Sequence, residues 1–308
     1  MTEKQLQGNR LKDLRAPLSL LVAFWALAAL LWQSKGNIFY LVNFGYIGTA
    51  LAVGLGLYIL LPRQRKPTGR RITQLLVGIY MLGFLGLLKK ENMQIEGFFF
   101  YLLEGVFAGS VIHYVVAKIV GPFFFGRGFC GWACWTAMVL DFLPYKRNKG
   151  RRAASWEKIR YVHFFVSLCL IAVLWFLFSY RPAGNNSELV WLVAGNLLYY
   201  ASAVPLALTL RDNRAFCKYL CPITTLLKLF SRFALIKIGG DSRRCTQCGA
   251  CSKACPMSID VMGYIKNGER VLTTECVLCL TCTTVCPAGA LDGSFKVDVG
   301  GKEILKRI

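Results

Sequence analysis

The stretch that decides the fold reads Cys245-Thr-Gln-Cys248-Gly-Ala-Cys251-Ser-Lys-Ala-Cys255-Pro256. The same spacing returns at Cys276, Cys279, Cys282, Cys286 and Pro287. Close Cys-x-x-Cys steps let one tight loop wrap three corners of a cubane cluster, and the proline turns the chain away after the fourth cysteine. Structural zinc is the alternative, but zinc takes two cysteine pairs rather than repeated four-cysteine runs. The runs therefore predict two 4Fe–4S clusters.

In two-cluster ferredoxins, the fourth cysteine of each run serves the other cluster. We therefore predict that one cluster takes Cys245, Cys248, Cys251 and Cys286. The other cluster takes Cys276, Cys279, Cys282 and Cys255. This exchange places the clusters close together, which suits electron hopping. Because the chain becomes polar, turn-rich and cysteine-dense from residue 236, we predict a small α+β, ferredoxin-like domain over 236–308.

Residues 1–235 are predicted to form an all-α polytopic membrane domain. The 308-residue chain is 55% hydrophobic and only 17% charged, and a helix that crosses a bilayer needs about 20 apolar residues. The charged segment Met1–Pro17 precedes the first apolar stretch, which we interpret as an uncleaved anchor rather than a signal peptide. Six stretches are predicted to span the membrane: Leu18–Gln33, Ile38–Leu61, Ile72–Leu88, Gly97–Val120, Tyr161–Tyr180 and Leu189–Leu210.

The basic residues predict the orientation of these helices. Lys and Arg number 37 against 16 Asp and Glu, for a formal net charge of +21. They concentrate in segments 62–71 and 145–160, whereas the alternate loops are nearly neutral. Short basic loops stay in the cytoplasm, so we expect a multi-pass protein of the bacterial cytoplasmic membrane with both termini cytoplasmic. The positive charge then indicates topology and lipid headgroups rather than a nucleic-acid partner.

Four further cysteines form a second repeat. Arg127-Gly-Phe-Cys130-Gly-Trp-Ala-Cys134 follows the fourth predicted span, and Arg214-Ala-Phe-Cys217-Lys-Tyr-Leu-Cys221-Pro follows the sixth. The C-x3-C spacing puts two sulfurs on one face of a helical turn, so two facing turns offer four thiolates. These thiolates could hold a third cluster or another thiophilic metal, or act as redox thiols. Buried packing is the remaining alternative, and we favour the metal.

Residues 124–290 resemble the membrane-bound polyferredoxins of the NapH, NosR and CcoG type. In that family, spans are followed by C-x3-C-P pairs and then by a two-cluster ferredoxin domain; here Trp135 stands where the pattern has proline. The resemblance implies electron transfer between a membrane quinone pool and a redox partner. That partner would be a periplasmic iron–sulfur or cytochrome subunit, or a reductase. The NapH type resembles quinol dehydrogenase subunits, and the CcoG type resembles oxidase-assembly factors linked to copper.

Ionisable residues inside predicted spans are functional candidates. Glu104 could accept a proton from quinol. His113 and His163 could line a quinone pocket, ligate a b-type haem, or simply hydrogen-bond neighbouring helices; the haem is the least favoured of these.

Three functional hypotheses follow from these patterns. No nucleophile–base pair, phosphate-binding glycine loop or dinucleotide fingerprint is found in the sequence, so we expect the cofactors to carry the chemistry. The leading hypothesis is an electron-transfer subunit of a quinol dehydrogenase-type system. A metal-reducing or cofactor-assembly factor is the first alternative, and copper at the four C-x3-C thiols would favour it. A redox sensor is a weaker alternative.

Overall fold

The computed structural model describes residues 14–107, 109–145, 150–182 and 186–308. The chain divides into two compact units, Met1–Gly78 and Ile79–Ile308. In the first unit, the described residues form three helices: α1 (Arg15–Lys35), α2 (Ile38–Leu60) and α3 (Lys66–Ile79), the last of which ends one residue beyond the boundary.

Glycines let the helices of the first unit approach closely. A Cβ atom on Gly54 of α2 would lie 1.6 Å from the Thr73 Oγ1 of α3. A Cβ on Gly69 of α3 would lie 2.6 Å from the backbone nitrogen of Tyr58. Small residues that bring helix backbones together are typical of membrane helix pairs.

The second unit begins with a π-helical segment, Tyr80–Leu88, and continues as a series of short and long helices with two strands. A second π-helical segment, Val115–Val120, joins α5 to α6. The other elements are α4 (Ile95–Glu104), α5 (Gly109–Tyr114), α6 (Gly121–Phe125), α7 (Gly128–Trp132), α8 (Trp135–Leu140), α9 (Ala154–Phe176), α10 (Ser187–Leu210), α11 (Ala215–Tyr219), α12 (Ile223–Ser231), β1 (Ile236–Gly240), α13 (Ala250–Ala254), α14 (Val261–Lys266), α15 (Thr281–Val285) and β2 (Leu291–Phe295).

Five helices of the described chain are long and apolar enough to cross a membrane, which indicates a membrane protein: α1, α2, the continuous run Lys66–Leu88, α9 and α10. The fourth predicted span, Gly97–Val120, is not one continuous helix. It is replaced by α4 and the run Gly109–Phe125, which are bent by 117°. The bend begins at Gly105, which ends α4 in a left-handed conformation with a φ of 70°. The Gly105 N–H donates hydrogen bonds to the carbonyls of Leu102 and Tyr101. Glycine takes this left-handed conformation without steric cost.

The C-terminal region adds a two-stranded antiparallel sheet in which Ile236 pairs with Phe295 and Gly240 with Leu291. The domain boundary that we predict between 235 and 236 coincides with the start of β1 but falls inside the second unit. One buried cluster includes Ile238 and Cys251 together with Cys130 and Cys217. The ferredoxin-like region therefore packs against the C-x3-C loops, and its separateness as a domain stays a prediction.

Candidate metal centres

Two cavities in the C-terminal region are each lined by four cysteines. The first is lined by Cys245, Cys248, Cys251 and Cys286. The second is lined by Cys255, Cys276, Cys279 and Cys282. Each cavity thus combines three cysteines of one run with the fourth cysteine of the other run.

The two runs wrap these cavities with the same backbone conformation. Gln247 and Gly249 have positive φ in the first run, and Leu278 and Leu280 have positive φ at the same positions of the second. Alternating left-handed residues turn successive backbone N–H groups inward, which is how anion-binding concavities form. The short helices α13 and α15 then end at the fourth cysteine of each run.

The donors fit a cubane cluster. Each cavity offers four soft thiols, which is the ligand set of a cubane cluster. Among the residues described, no three Cys, His, Asp or Glu side chains converge as the ligands of a single metal ion. Burial, with the neighbouring Cys279, raises the pKa of Cys255 to about 11 and that of Cys276 to about 12. Such thiols are neutral at physiological pH, so binding an iron–sulfur cluster would release their protons.

The two cavities differ in their access to solvent. Cys248 of the first cavity is exposed, whereas Cys255 and Cys282 of the second are buried. Hydrogen bonding from the backbone of Ala250 lowers the pKa of the Cys248 thiol, and nearby Lys253 adds to this effect. The first cavity is therefore the one with a cysteine exposed to solvent.

The two C-x3-C loops share one local fold. In the first, the carbonyl of Phe129 accepts hydrogen bonds from the backbone N–H groups of Ala133 (2.9 Å) and Cys134 (3.1 Å). In the second, the carbonyl of Phe216 accepts from Leu220 and Cys221, both at 2.9 Å. A new helix follows each loop, α8 beginning at Trp135 and α12 at Ile223. Trp135, at the position where the second loop has Pro222, donates its indole N–H to Asn196 of α10 (2.9 Å).

The four C-x3-C thiols interact electrostatically with one another and lie in one cluster. Burial raises the pKa of Cys217 to about 11, and the nearby thiols Cys134 and Cys130 oppose its ionisation further. Burial also raises the pKa of Cys221, and the other three thiols add to the shift. Cys130 and Cys217 are buried and Cys134 and Cys221 are half-buried, and all four sulfurs could serve as soft metal ligands.

The first C-x3-C loop lies directly against the second ferredoxin cavity. A Cβ on Gly131 would lie 2.2 Å from the carbonyl oxygen of Val277 and 3.6 Å from the Cα of Cys279. The Trp132 indole donates to the carbonyl of Leu278 at 2.9 Å. Arg214 donates to the Cys130 carbonyl (3.1 Å) and interacts electrostatically with both Cys217 and Cys279. The backbone of the first C-x3-C loop is therefore packed directly against the backbone of the second cysteine run.

Glu275, beside Cys276, holds a buried cluster of cations. Its carboxylate pairs with Arg127 (2.8 Å), Arg151 (2.8 Å), Arg160 (2.7 Å) and Lys228 (2.6 Å). Burial alone would raise the pKa of Glu275, but the cations Arg151, Arg127, Arg160 and Lys228 outweigh it and hold that pKa well below its usual range. Arg151 and Arg160, which the sequence pattern assigns to a basic loop, are thus buried structural partners.

The ionisable residues predicted within the spans lie at different places. Glu104 is the last residue of α4 and is half-buried. His113 is buried, and its ring packs against those of Tyr114, Phe129 and Trp135. The Nδ1 atom of His163 lies 2.8 Å from the carbonyl oxygen of Leu220, the residue that precedes Cys221 in the second C-x3-C loop. Each imidazole packs edge-on or tilted against its aromatic neighbours.

The sequence pattern misses Glu96, the buried acid of α4. It follows Lys89 and Lys90 closely in sequence, where the pattern indicates a charge of a nearly neutral loop. In the structure it is the second residue of α4, 8% exposed, and Ser167 of α9 donates a hydrogen bond to it at 3.0 Å. The sequence signal for a buried Glu96 is Ser167, a polar residue within the apolar helix α9.

Comparison with known proteins agrees with these sites. Residues 244–291 match a family described as a 4Fe–4S dicluster domain. Residues 107–152 and 198–240, which contain the two C-x3-C loops, match a family described as a 4Fe–4S binding domain. No solved structure matches the chain significantly.

Several curated proteins are similar to this chain. An uncharacterized protein of Methanocaldococcus jannaschii is 27% identical over 72% of this chain and 82% of its own length. A protein of Escherichia coli named as electron transport protein YccM is 27% identical over 61% of this chain, which spans only 56% of that protein. The methylamine utilization ferredoxin-type protein MauN of Paracoccus denitrificans is 26% identical over 64% of this chain and 71% of its own length. These similarities indicate a ferredoxin-type 4Fe–4S electron-transport protein, and the narrower NapH, NosR and CcoG type stays a prediction.

Proposed function

We propose that this protein passes electrons between a redox partner and the quinone pool of the bacterial cytoplasmic membrane through two 4Fe–4S clusters. The main support for this proposal is that each ferredoxin cavity is lined by four cysteines contributed by both runs. Cys245, Cys248, Cys251 and Cys286 would hold one cluster, and Cys276, Cys279, Cys282 and Cys255 the other. Clusters bound there would supply one-electron transfer.

The order of the sites supports a path from solvent to membrane. The first cavity is nearest the solvent through Cys248, and Cys251 of that cavity interacts electrostatically with Cys282 of the second. The second cavity touches the C-x3-C loop through Val277 and Gly131. Loop and cavity residues are thus arranged in series, with the C-x3-C thiols closest to the apolar helices.

The redox partner would meet the protein around Cys248. The surface there carries Arg243, Arg244 and Lys253, all exposed. Charged groups beside a redox site steer a partner of opposite sign and accelerate its association. We therefore expect an acidic face on the partner and an association rate that falls with ionic strength.

We propose that Cys130, Cys134, Cys217 and Cys221 hold a third cluster. Buried positive charge supports this assignment, because Arg127 and Arg214 interact electrostatically with these thiols while fully buried. Four thiolates without such cations would be very costly in an apolar interior. The match of both loops to a 4Fe–4S binding family also supports it.

The proposal also includes a quinone site among the apolar helices and a membrane topology. Glu104, His113 and His163 stay proposed contributors to quinone binding or proton transfer, and a b-type haem is disfavoured. The short basic segments support cytoplasmic placement of both termini and of the ferredoxin-like region. The direction of electron flow depends on potentials that cavity geometry does not fix.

The ligand exchange gives a sharp test. Cys286→Ser should perturb the same cluster as Cys245→Ser, although the two cysteines are far apart in sequence. Cys255→Ser should instead perturb the cluster that Cys276→Ser perturbs. Electron paramagnetic resonance of the anaerobically reduced variants, with iron analysis, would compare the residual spectra. Cys169→Ser, at an exposed cysteine of α9, is the control and should keep all iron. If Cys286→Ser matched Cys276→Ser instead, the ligand sets would be wrong.

A second candidate function is favoured by the four C-x3-C thiols, none of which lines either ferredoxin cavity. In a metal-reducing or assembly factor, these thiols would handle copper while the two clusters supply electrons. Metal analysis distinguishes the two functions: a third cluster adds about four iron atoms to the about eight of a two-cluster ferredoxin region. Copper in place of that additional iron, lost in Cys130→Ser, would establish the second candidate.

A further inference from the structure

A cluster of buried polar side chains lies between α4, α5, α9 and α10. Glu96 accepts a hydrogen bond from Ser167 through Oε1, but its buried Oε2 atom has no hydrogen-bond partner. The hydroxyl groups of Tyr114 and Tyr199 are also buried without one. Nearly all buried polar groups in proteins are hydrogen-bonded, so three such atoms in one neighbourhood indicate a site that serves more than packing.

This polar cluster reaches the C-x3-C thiols. Tyr114 and Tyr199 each interact electrostatically with Glu96 on one side and with Cys134 and Cys221 on the other. The Tyr199 ring packs against the Phe216 ring of the second C-x3-C loop, with their centroids 5.3 Å apart. His163 interacts with Glu96 and contacts the carbonyl of Leu220, which directly precedes Cys221.

The groups that face Glu96 come from three neighbouring helices. Ser167 and His163 belong to α9, Tyr114 to α5 and Tyr199 to α10. None of these side chains is a permanent cation. The carboxylate therefore lacks the fixed positive partner that Glu275 has, and its charge can be cancelled most directly by a proton.

An electron that arrives at the C-x3-C site adds negative charge to the same buried region. In a medium of low dielectric constant, this charge repels a nearby carboxylate over several ångströms. A like charge nearby favours the protonated form of a carboxyl group. Reduction of the site and protonation of Glu96 should therefore be linked.

We propose that Glu96 is the proton-binding site coupled to reduction of the centre held by Cys130, Cys134, Cys217 and Cys221. One electron passes to that centre from the reduced clusters of the ferredoxin-like region, and one proton from water binds the Glu96 carboxylate. Because one electron and one proton enter together, the net charge of the buried region is unchanged. The electron and the proton both leave on reoxidation. Ser167 positions the carboxyl group, while Tyr114, Tyr199 and His163 line the way to the thiols. This inference rests on the proposed function, because it requires a redox centre at the C-x3-C thiols.

The test is a redox titration of that centre in lipid nanodiscs at several pH values, followed by electron paramagnetic resonance. In the wild type, the midpoint potential should fall by up to about 59 mV per pH unit, the value for one proton per electron. Glu96→Gln should keep the iron content and make the potential nearly independent of pH. Glu96→Asp, which keeps a carboxylate, should retain a slope. Glu188→Gln, the same exchange at a buried acid of α10, is the matched control and should keep the wild-type slope.

The outcomes separate the two proposals. A wild-type potential that does not change with pH, or a Glu96→Gln variant with the wild-type slope, would overturn the proton site while leaving the third centre in place. If Glu96→Gln does not assemble, a flat profile in Glu96→Asp would overturn the inference. A wild-type protein with no signal beyond those of the two ferredoxin clusters would contradict the third centre itself, and the proton site with it.

Discussion

At the scale of single residues, Glu275 does the most to join the ferredoxin-like loops to the helices. Its four cationic partners come from the loop before α7, the loop before α9, α9 itself and α12. Removing one partner of a buried ion pair typically costs about 3–5 kcal/mol, because it leaves the other charge uncompensated. Glu275→Gln should therefore lower the thermal unfolding midpoint by on the order of 10 °C. Glu269→Gln, at the exposed pair with Lys302, is the control and should change stability by about 0–1 kcal/mol.

The pH dependence of this effect follows from the sign of the shift. The cations hold the pKa of Glu275 below its usual range. The contribution of the ionised carboxylate to folding stability is therefore complete above the pKa of the unfolded state, about 4.3. It is lost only as the pH falls through the lower pKa of the folded state. The stability difference between wild type and Glu275→Gln should therefore be the same at about pH 6 and about pH 8. Thermal unfolding at both pH values measures it, and a difference that grew strongly between them would contradict a permanently ionised Glu275.

At the scale of elements, the contact between α7 and the second cavity carries the proposed electron path. Gly131→Ala would place a methyl group against the carbonyl oxygen of Val277, and such overpacking typically costs about 1–3 kcal/mol. All cluster ligands are unchanged in this variant, but we expect it to lose the second cluster more readily. The loss is measured as iron release during incubation with a chelator. Gly293→Ala in β2, where a Cβ would meet nothing within 4 Å, is the control. Equal iron release from both variants would contradict a tight contact at α7.

The same scale shows what sequence can and cannot predict. The spacing of the cysteine runs predicts which thiols line each cavity, because cluster ligation is governed by short loops whose geometry is local. Apolar length likewise indicates five of the helices. The bend at Gly105 was not predicted, since a glycine inside an apolar run is compatible with either a straight or a broken helix. The burial of Glu96 and of Arg151 depends on partners far away in sequence, Ser167 and Glu275, which no local pattern reveals.

At the scale of the whole molecule, we expect a membrane topology with both termini in the cytoplasm. A reporter fused after Ile308, or inserted in the basic segment 62–71, should score cytoplasmic, because short Lys- and Arg-rich segments are retained there. A reporter inserted after Lys90, between the run Lys66–Leu88 and α4, should score on the opposite side. The bent pair α4 and Gly109–Phe125 makes this test informative. If the pair instead enters and leaves on one side, only α9 and α10 cross the membrane between Lys90 and Ile308. The reporters after Lys90 and after Ile308 would then score on the same side, which would contradict the six-span topology.

The most direct test of the central claim is whether the clusters exchange electrons with a membrane quinone. Anaerobically purified protein would be reduced, freed of excess reductant and placed in nanodiscs with or without menaquinone. The cluster signals would then be followed by electron paramagnetic resonance. We expect the reduced signals to decay in nanodiscs with menaquinone and to persist in those without it. Signals that persisted equally in both would contradict an electron-transfer link between this protein and the quinone pool.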